Sequence, residues 1–240
     1  MATSTQTSPA PSDEGLTPWF PPLENGDRPT RTEFERRYDA MPEVKKAELI
    51  DGVVFMGSPV GLRRHPEPHF NLIGWLARSS ADTPGHLGGD NGSIRLDFDN
   101  MPQPDILLMI RPENGGQVRV GEDDIAEGAP ELVIEVASGS VSHDLHAKLD
   151  VYRRNGAREY LVWRVRDRAF DWFALREGRI DRITPGPDGS LRSEVFPGLW
   201  LDPEALIRGD LPAAFEAVGR GLATPEHAAF VERLARAAGG

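Results

Sequence analysis

With 240 residues, 39% of them hydrophobic, the chain has apolar material for one large domain with a buried core. It contains no cysteine, which excludes disulfides and thiolate metal sites and fits a reducing cytoplasm. Its formal net charge of −11 argues against tight non-specific gripping of a phosphate backbone.

Residues 1–29, rich in Ser, Thr and Pro, lack periodicity and read as a disordered tail with no secretory leader. The segment TRTEFERRYDAM predicts a helix. Thr32 and Glu35 have capping-box spacing, Phe34 and Tyr38 share an apolar face, and Met41-Pro42 marks the stop. AELIDGVVFMGS predicts a hairpin turning at Asp51-Gly52, with Glu48 just before the turn, where a solvated charge is the ordinary reading. Residues 59–68 read as a loop carrying Arg63, Arg64 and His65. His65 and His69 have i,i+4 spacing, but Pro66 and Pro68 argue against a shared helical face. A helix follows over about 69–80, with Phe70, Ile73 and Ala77 on one side and Leu72 and Leu76 beside them.

TPGHLGGDNG reads as a turn, since no phosphate-loop pattern is present. SIRLDFD alternates as a strand, with Ile94, Leu96 and Phe98 on one face. DILLMI and ELVIEVA are nearly continuous apolar runs, as expected of strands covered on both faces, and a long polar excursion separates them. Residues 143–155 predict a helix ended by Gly156. REYLVWRV is a further buried strand. FDWFALREGRIDRIT is a hairpin turning near Glu177-Gly178, and LRSEVFPGLWL is a last strand. From Pro203 to residue 240 the chain is expected to be helical, with Thr224-Pro225-Glu226 opening a helix that packs on the domain or on a partner. No apolar run approaches the roughly 20 residues that span a bilayer.

Three charged residues violate this apolar pattern. Asp105 begins the first apolar run and Glu135 lies inside the second, opposite in direction to Leu132, Ile134 and Val136. At about 100° per residue, Lys148 falls within the apolar arc of Leu145, Leu149, Val151 and Tyr152, with Asp144 one turn earlier. The ordinary alternatives are an Asp144–Lys148 surface pair and a lysine snorkelling to solvent. Burying such charges is costly unless they are paired or bind a metal. Two carboxylates near one point suit a hard cation such as Mg²⁺, with Mn²⁺ as substitute, and such an ion activates water against a phosphodiester.

The sequence P-D, then a glutamate in the next strand, then a helical lysine resembles the PD-(D/E)XK nuclease superfamily, and within it the Uma-two family of restriction-endonuclease-like proteins. The similarity covers about residues 30–202 and includes ELIDG, QPDILL, APELVIEVASGS and HDLHAKLDVYRRNGAREYLVW. It implies an α/β restriction-endonuclease-like core: a mixed central sheet flanked by helices, followed by a helical extension over 203–240. It also implies that Asp105 and Glu135 are metal ligands, that Glu48 is a further ligand or contacts a metal-bound water, and that Lys148 is the catalytic lysine, since position 137 is Ala. By the same resemblance Tyr152 shapes the pocket, and His69 matches a frequent family histidine. The implied activity is Mg²⁺-dependent cleavage of nucleic acid, DNA first, by a homodimer. The competing expectation is a catalytically silent module of the same fold that binds nucleic acid or protein. A serine hydrolase built on Ser140 or Ser142 with His143 lacks a nucleophile elbow and ranks far behind. Arg63, Arg64, Arg153, Arg154 and Arg158 are candidates for a phosphate-binding surface.

Overall fold

In the computed structural model, residues 20–57 and 60–239 are described. The predicted tail falls mainly on residues 1–19, outside that range. Residues 20–29 pack on the domain: Leu23 is buried, and Arg37 donates to the carbonyls of Pro21 and Pro22.

Helix α1 (Arg31–Asp39) is capped two residues earlier than the spacing of Thr32 and Glu35 suggests. The Thr30 side chain accepts from the Glu33 backbone N–H, leaving Glu35 free to pair with Arg95. Phe34 is fully buried, as its period predicts. Strands β1 (Ala47–Ile50) and β2 (Val53–Met56) form the predicted hairpin. Asp51 and Gly52 both have positive φ (50° and 68°), the requirement of a two-residue turn that matches strand twist.

A 3₁₀ turn (Leu62–Arg64) leads into α2 (Pro66–Ala81), which starts earlier than expected. Pro66 and Pro68 occupy its first turn, where backbone N–H groups have no helical partner to lose. The buried stripe of α2 runs through Leu72, Trp75, Leu76 and Ser79. Phe70, placed above on one apolar side with Ile73 and Ala77, is 68% exposed. Residues read above as punctuation instead form β3 (His86–Asp90), an edge strand held by antiparallel pairing along residues 106–110. The expected alternating strand shrinks to β4 (Ile94–Arg95), and Phe98 points to solvent.

The two apolar runs are β5 (Ile106–Ile110) and β8 (Leu132–Ala137). The excursion between them carries a 3₁₀ turn (Pro112–Asn114) and two short strands, β6 (Arg119–Val120) and β7 (Ala126–Glu127), which join β4 in a small sheet. After β8 a continuous helical stretch comprises α3 (Val141–His143), a wide π turn (Asp144–Lys148) and α4 (Leu149–Arg154). Strands β9 (Glu159–Arg164), β10 (Ala169–Arg176) and β11 (Arg179–Arg182) follow. The expected last strand is a small hairpin, β12 (Leu191–Arg192) and β13 (Trp200–Leu201), broken at Pro197-Gly198. Helices α5 (Pro203–Arg208), α6 (Leu211–Leu222) and α7 (Pro225–Ala238) complete the chain.

The central sheet has six strands in the order β11-β10-β9-β8-β5-β3. It is mixed: β8 and β9 are parallel, and the other neighbours are antiparallel. A parallel pair needs a crossover, and α3 to α4 supplies it, which lays that stretch on one face of the sheet. The alternation of β8 then sorts the molecule into two layers. Leu132, Ile134 and Val136 face a core shared with α2, α5, α6 and α7, including Phe230 and Leu234. Val133 and Ala137 face the other way, onto Leu149, Tyr152 and Tyr160. Glu135 shares that second face. The hairpin β1–β2 and α1 bury their own apolar cluster around Phe34, Leu49 and Met101. Among the described residues, no helix is long and apolar enough to cross a membrane.

Candidate functional site

Three separate stretches bring charge to one place. From the hairpin, Ala47 and Leu49 turn into the local core, so Glu48 turns the other way. From β8 comes Glu135, and from the crossover comes Lys148. Lys148 Nζ lies 2.8 Å from Glu48 Oε1, 2.9 Å from Glu135 Oε1 and 4.0 Å from Asp144 Oδ1. Its side chain is only 4% exposed. Asp144, held by the Ser140 hydroxyl, reaches the cluster from the wide turn, and Tyr160 donates to its carbonyl. Glu48 also accepts from the Gln103 backbone N–H at 2.8 Å.

Asp105 stands one step beyond the last β5–β8 ladder pair, Ile106↔Ile134, and so opposite Glu135. Its Oδ2 accepts from the Val136 N–H at 2.8 Å. Its Oδ1 faces Lys46 Nζ at 2.8 Å and His65 Nε2 at 3.4 Å. His69 Nε2 lies 2.9 Å from the Asp105 carbonyl, and the two histidine rings are 5.7 Å apart. Contrary to the proline argument above, His65 and His69 therefore do share a face: His65 caps α2 and His69 sits one turn in.

Lys46 and His65 are participants that sequence reasoning missed. A signal existed for the first. Lys46 is two residues from Glu48, the spacing that puts two side chains on one side of an extended segment.

The electrostatics follow from burial. Burial disfavours the Lys148 ammonium, yet Glu135 and Glu48 outweigh it and raise its pKa. Glu135 is pushed up by burial, and the nearby Asp105, Asp144 and Glu48 add to this against the single opposing ammonium. Burial also pushes Asp105 up, but there the His65 hydrogen bond and the Lys46 charge prevail and hold it below the usual carboxylate range. Four carboxyls (Glu48, Asp105, Glu135, Asp144) thus face two ammoniums (Lys46, Lys148). The cluster holds an acidic excess, twice as many carboxyls as ammoniums.

Among the described residues, no three His, Cys, Asp or Glu side chains stand in an arrangement that holds a metal ion; the carboxylates turn to the ammoniums instead. The donor set is nevertheless that of a hard cation, all oxygen and acidic in excess. Beside it, the buried Tyr152 hydroxyl has no hydrogen-bond partner among the described residues. The Tyr152 ring packs on Tyr160 at 5.3 Å and walls the cluster from below.

The remaining candidates separate. Ser140 is engaged with Asp144, and the His143 ring stacks on Phe55 at 4.2 Å, so neither forms a nucleophile–base pair with the other. Arg153 is bound to Asp150, Arg154 to Asp51 and Arg158 to Gln117. Arg63 and Arg64 are exposed and, among the described residues, pair with no carboxylate.

Comparison with known proteins adds three findings. A solved structure titled as a "putative nuclease belonging to DUF820" from Anabaena variabilis is 15% identical, with a TM-score of 0.49, over 75% of this chain and 97% of that one. A curated human protein, "Arf-GAP with Rho-GAP domain, ANK repeat and PH domain-containing protein 3", is 25% identical over 238 residues, covering 92% of this chain. The chain spans only 14% of that protein's length. The model of the Uma2 family, described as "Putative restriction endonuclease", matches residues 31–204, a span that holds Glu48, Asp105, Glu135 and Lys148, and the chain belongs to that family.

Proposed function

We propose that this chain is a divalent-metal-dependent nuclease that hydrolyses phosphodiester bonds of DNA, with Mg²⁺ as the ion and Mn²⁺ able to replace it. The observation that carries this reading is the acidic excess: four buried carboxyls from four elements surround two lysines where packing alone would favour apolar residues. Family membership supports nuclease chemistry in general.

In this reading Asp105, Glu135 and Glu48 hold the ion. When bound, it supplies Lewis acidity toward a phosphoryl oxygen and lowers the pKa of water. Lys148 fixes Glu48 and Glu135 in orientation from below through its two ammonium contacts. The Val136 N–H and His65 orient Asp105, so the ligand nearest the strand end does not rotate away. Tyr152 keeps the floor of the site dry. Two copies of the chain acting together would address both strands of one duplex.

The test is cleavage of DNA by the purified chain with Mg²⁺ or Mn²⁺, alongside Asp105→Asn. Metal-dependent cutting that the substitution abolishes supports the reading; cutting that survives it sinks the assignment. The competing reading, a silent module, draws on the lysines that already occupy the carboxylates and on the net charge of −11. Calorimetric titration with Mn²⁺ separates the two. A silent module takes up no ion in a manner dependent on Asp105 and Glu135.

A further inference from the structure

The two lysines of the cluster differ in what they can reach. Lys148 is enclosed, with 4% of its side chain exposed and carboxylates on two sides. Lys46 contacts Asp105 from the outer side, with 29% of its side chain exposed. The flanking groups on that side are also cationic or able to become so. His65 is 21% exposed at the same carboxylate oxygen, and the exposed Arg63 and Arg64 immediately precede it on the 3₁₀ turn. In a chain of net charge −11, this is a local basic rim beside the acidic cluster. An anionic polymer approaching the carboxylates meets the rim first, and Lys46 is its innermost member.

We propose that Lys46, and not Lys148, is the lysine that contacts the substrate, receiving a phosphate of the nucleic-acid backbone at the outer edge of Asp105, while Lys148 serves as a positioning residue beneath. The inference rests on the nuclease reading for its substrate class. Its test does not depend on cleavage. Lys46 reaches Asp105 through a single ammonium contact, so a phosphate oxygen can share that ammonium without displacing a buried group. Lys148 has no such freedom: a substrate contact would require Glu48 or Glu135 to give it up.

The measurement is equilibrium binding of a short fluorescent DNA duplex to the full chain in Ca²⁺, by anisotropy at stepped salt concentrations. Each phosphate neutralised by a lysine adds about 0.9 to the slope of log K against log salt on duplex DNA. Lys46→Met and Lys46→Gln are each expected to weaken binding and flatten the slope by about one such contact. The glutamine variant keeps a donor toward Asp105 and serves where the methionine variant folds poorly. Lys45→Met, at an exposed neighbour whose Nζ donates to the Pro42 carbonyl, is expected to leave the slope unchanged. Equal slopes for wild type and both Lys46 variants would overturn the proposal, as would equal losses at Lys45 and Lys46 or a wild type that binds no duplex. A wild type that binds with the expected Lys46 dependence but never cuts with Mg²⁺ or Mn²⁺ overturns the nuclease reading alone.

Discussion

Glu135 and Glu159 stand on adjacent parallel strands, β8 and β9, both almost without solvent contact, and they are held in opposite ways. Glu159 accepts from four uncharged donors: Trp172 Nε1, the Ser193 hydroxyl and the N–H groups of Glu194 and Val195. It clamps the segment before β13 onto the sheet. Glu135 instead takes a lysine, which it shares with Glu48, and faces Asp105 across the ladder. A carboxylate satisfied by neutral donors is saturated and has a structural job. One that shares a single ammonium with a second carboxylate, with further acids beside it, keeps oxygen lone pairs for an additional cation. The contrast separates buried charge that serves the fold from buried charge that can serve chemistry.

The strongest way to break this contrast is to remove the shared cation. Lys148→Met leaves Glu48 and Glu135 buried without a counter-charge and is expected to lose about 3–5 kcal/mol of stability in urea unfolding. Adding Glu135→Gln to it should recover part of that loss. A Lys148→Met protein as stable as wild type would mean that solvent, not the lysine, compensates these acids.

The next effect comes from Glu159. Burial outweighs its four hydrogen bonds and raises its pKa from 4.5 to about 7. The folded state therefore binds this proton more tightly than the unfolded chain. The associated stability is fully present below pH 4.5 and is lost as pH rises through about 7. The shift corresponds to about 3 kcal/mol from this one carboxyl. Glu159→Gln should remove that pH dependence, visible as a flatter curve of melting temperature against pH. At acid pH, where Glu159 is itself protonated and neutral, the carboxamide is a near-isostere and should cost about 1 kcal/mol or less. The smallest effect belongs to an exposed pair. Arg176→Ala, which frees Glu194 and leaves Asp181 paired with Arg179 at the surface, should change stability by less than about 1 kcal/mol.

What could be read from residues alone depended on how local the governing interaction was. The hairpin followed from Asp51-Gly52, the two faces of β8 from strict alternation, and the inward aim of Lys148 from the helical period of its neighbours. The early start of α2 was missed because proline was weighed as a breaker, although the first turn of a helix tolerates it. Phe70 was misplaced because two overlapping apolar rows ran along one helix and only packing against the sheet chooses between them. Strand β3 was hidden by its glycines, whose low intrinsic preference is overridden by pairing with β5. The meeting of Lys46 with Asp105 spans 59 positions and leaves no local periodic trace.

The wide turn at Asp144–Lys148 acts as a spacer of fixed length. Such a turn takes one residue more than a regular helical turn between the chain before and after it. Winding the same five residues as a regular α-helix would instead rotate everything upstream by about 100° relative to α4. Ser140 and Asp144 would then swing away from the ammonium while Leu149 and Tyr152 kept their seats. Loop insertions elsewhere on the surface should be absorbed, but a residue added within this five-residue segment widens the turn further or dismantles one wall of the charged cluster.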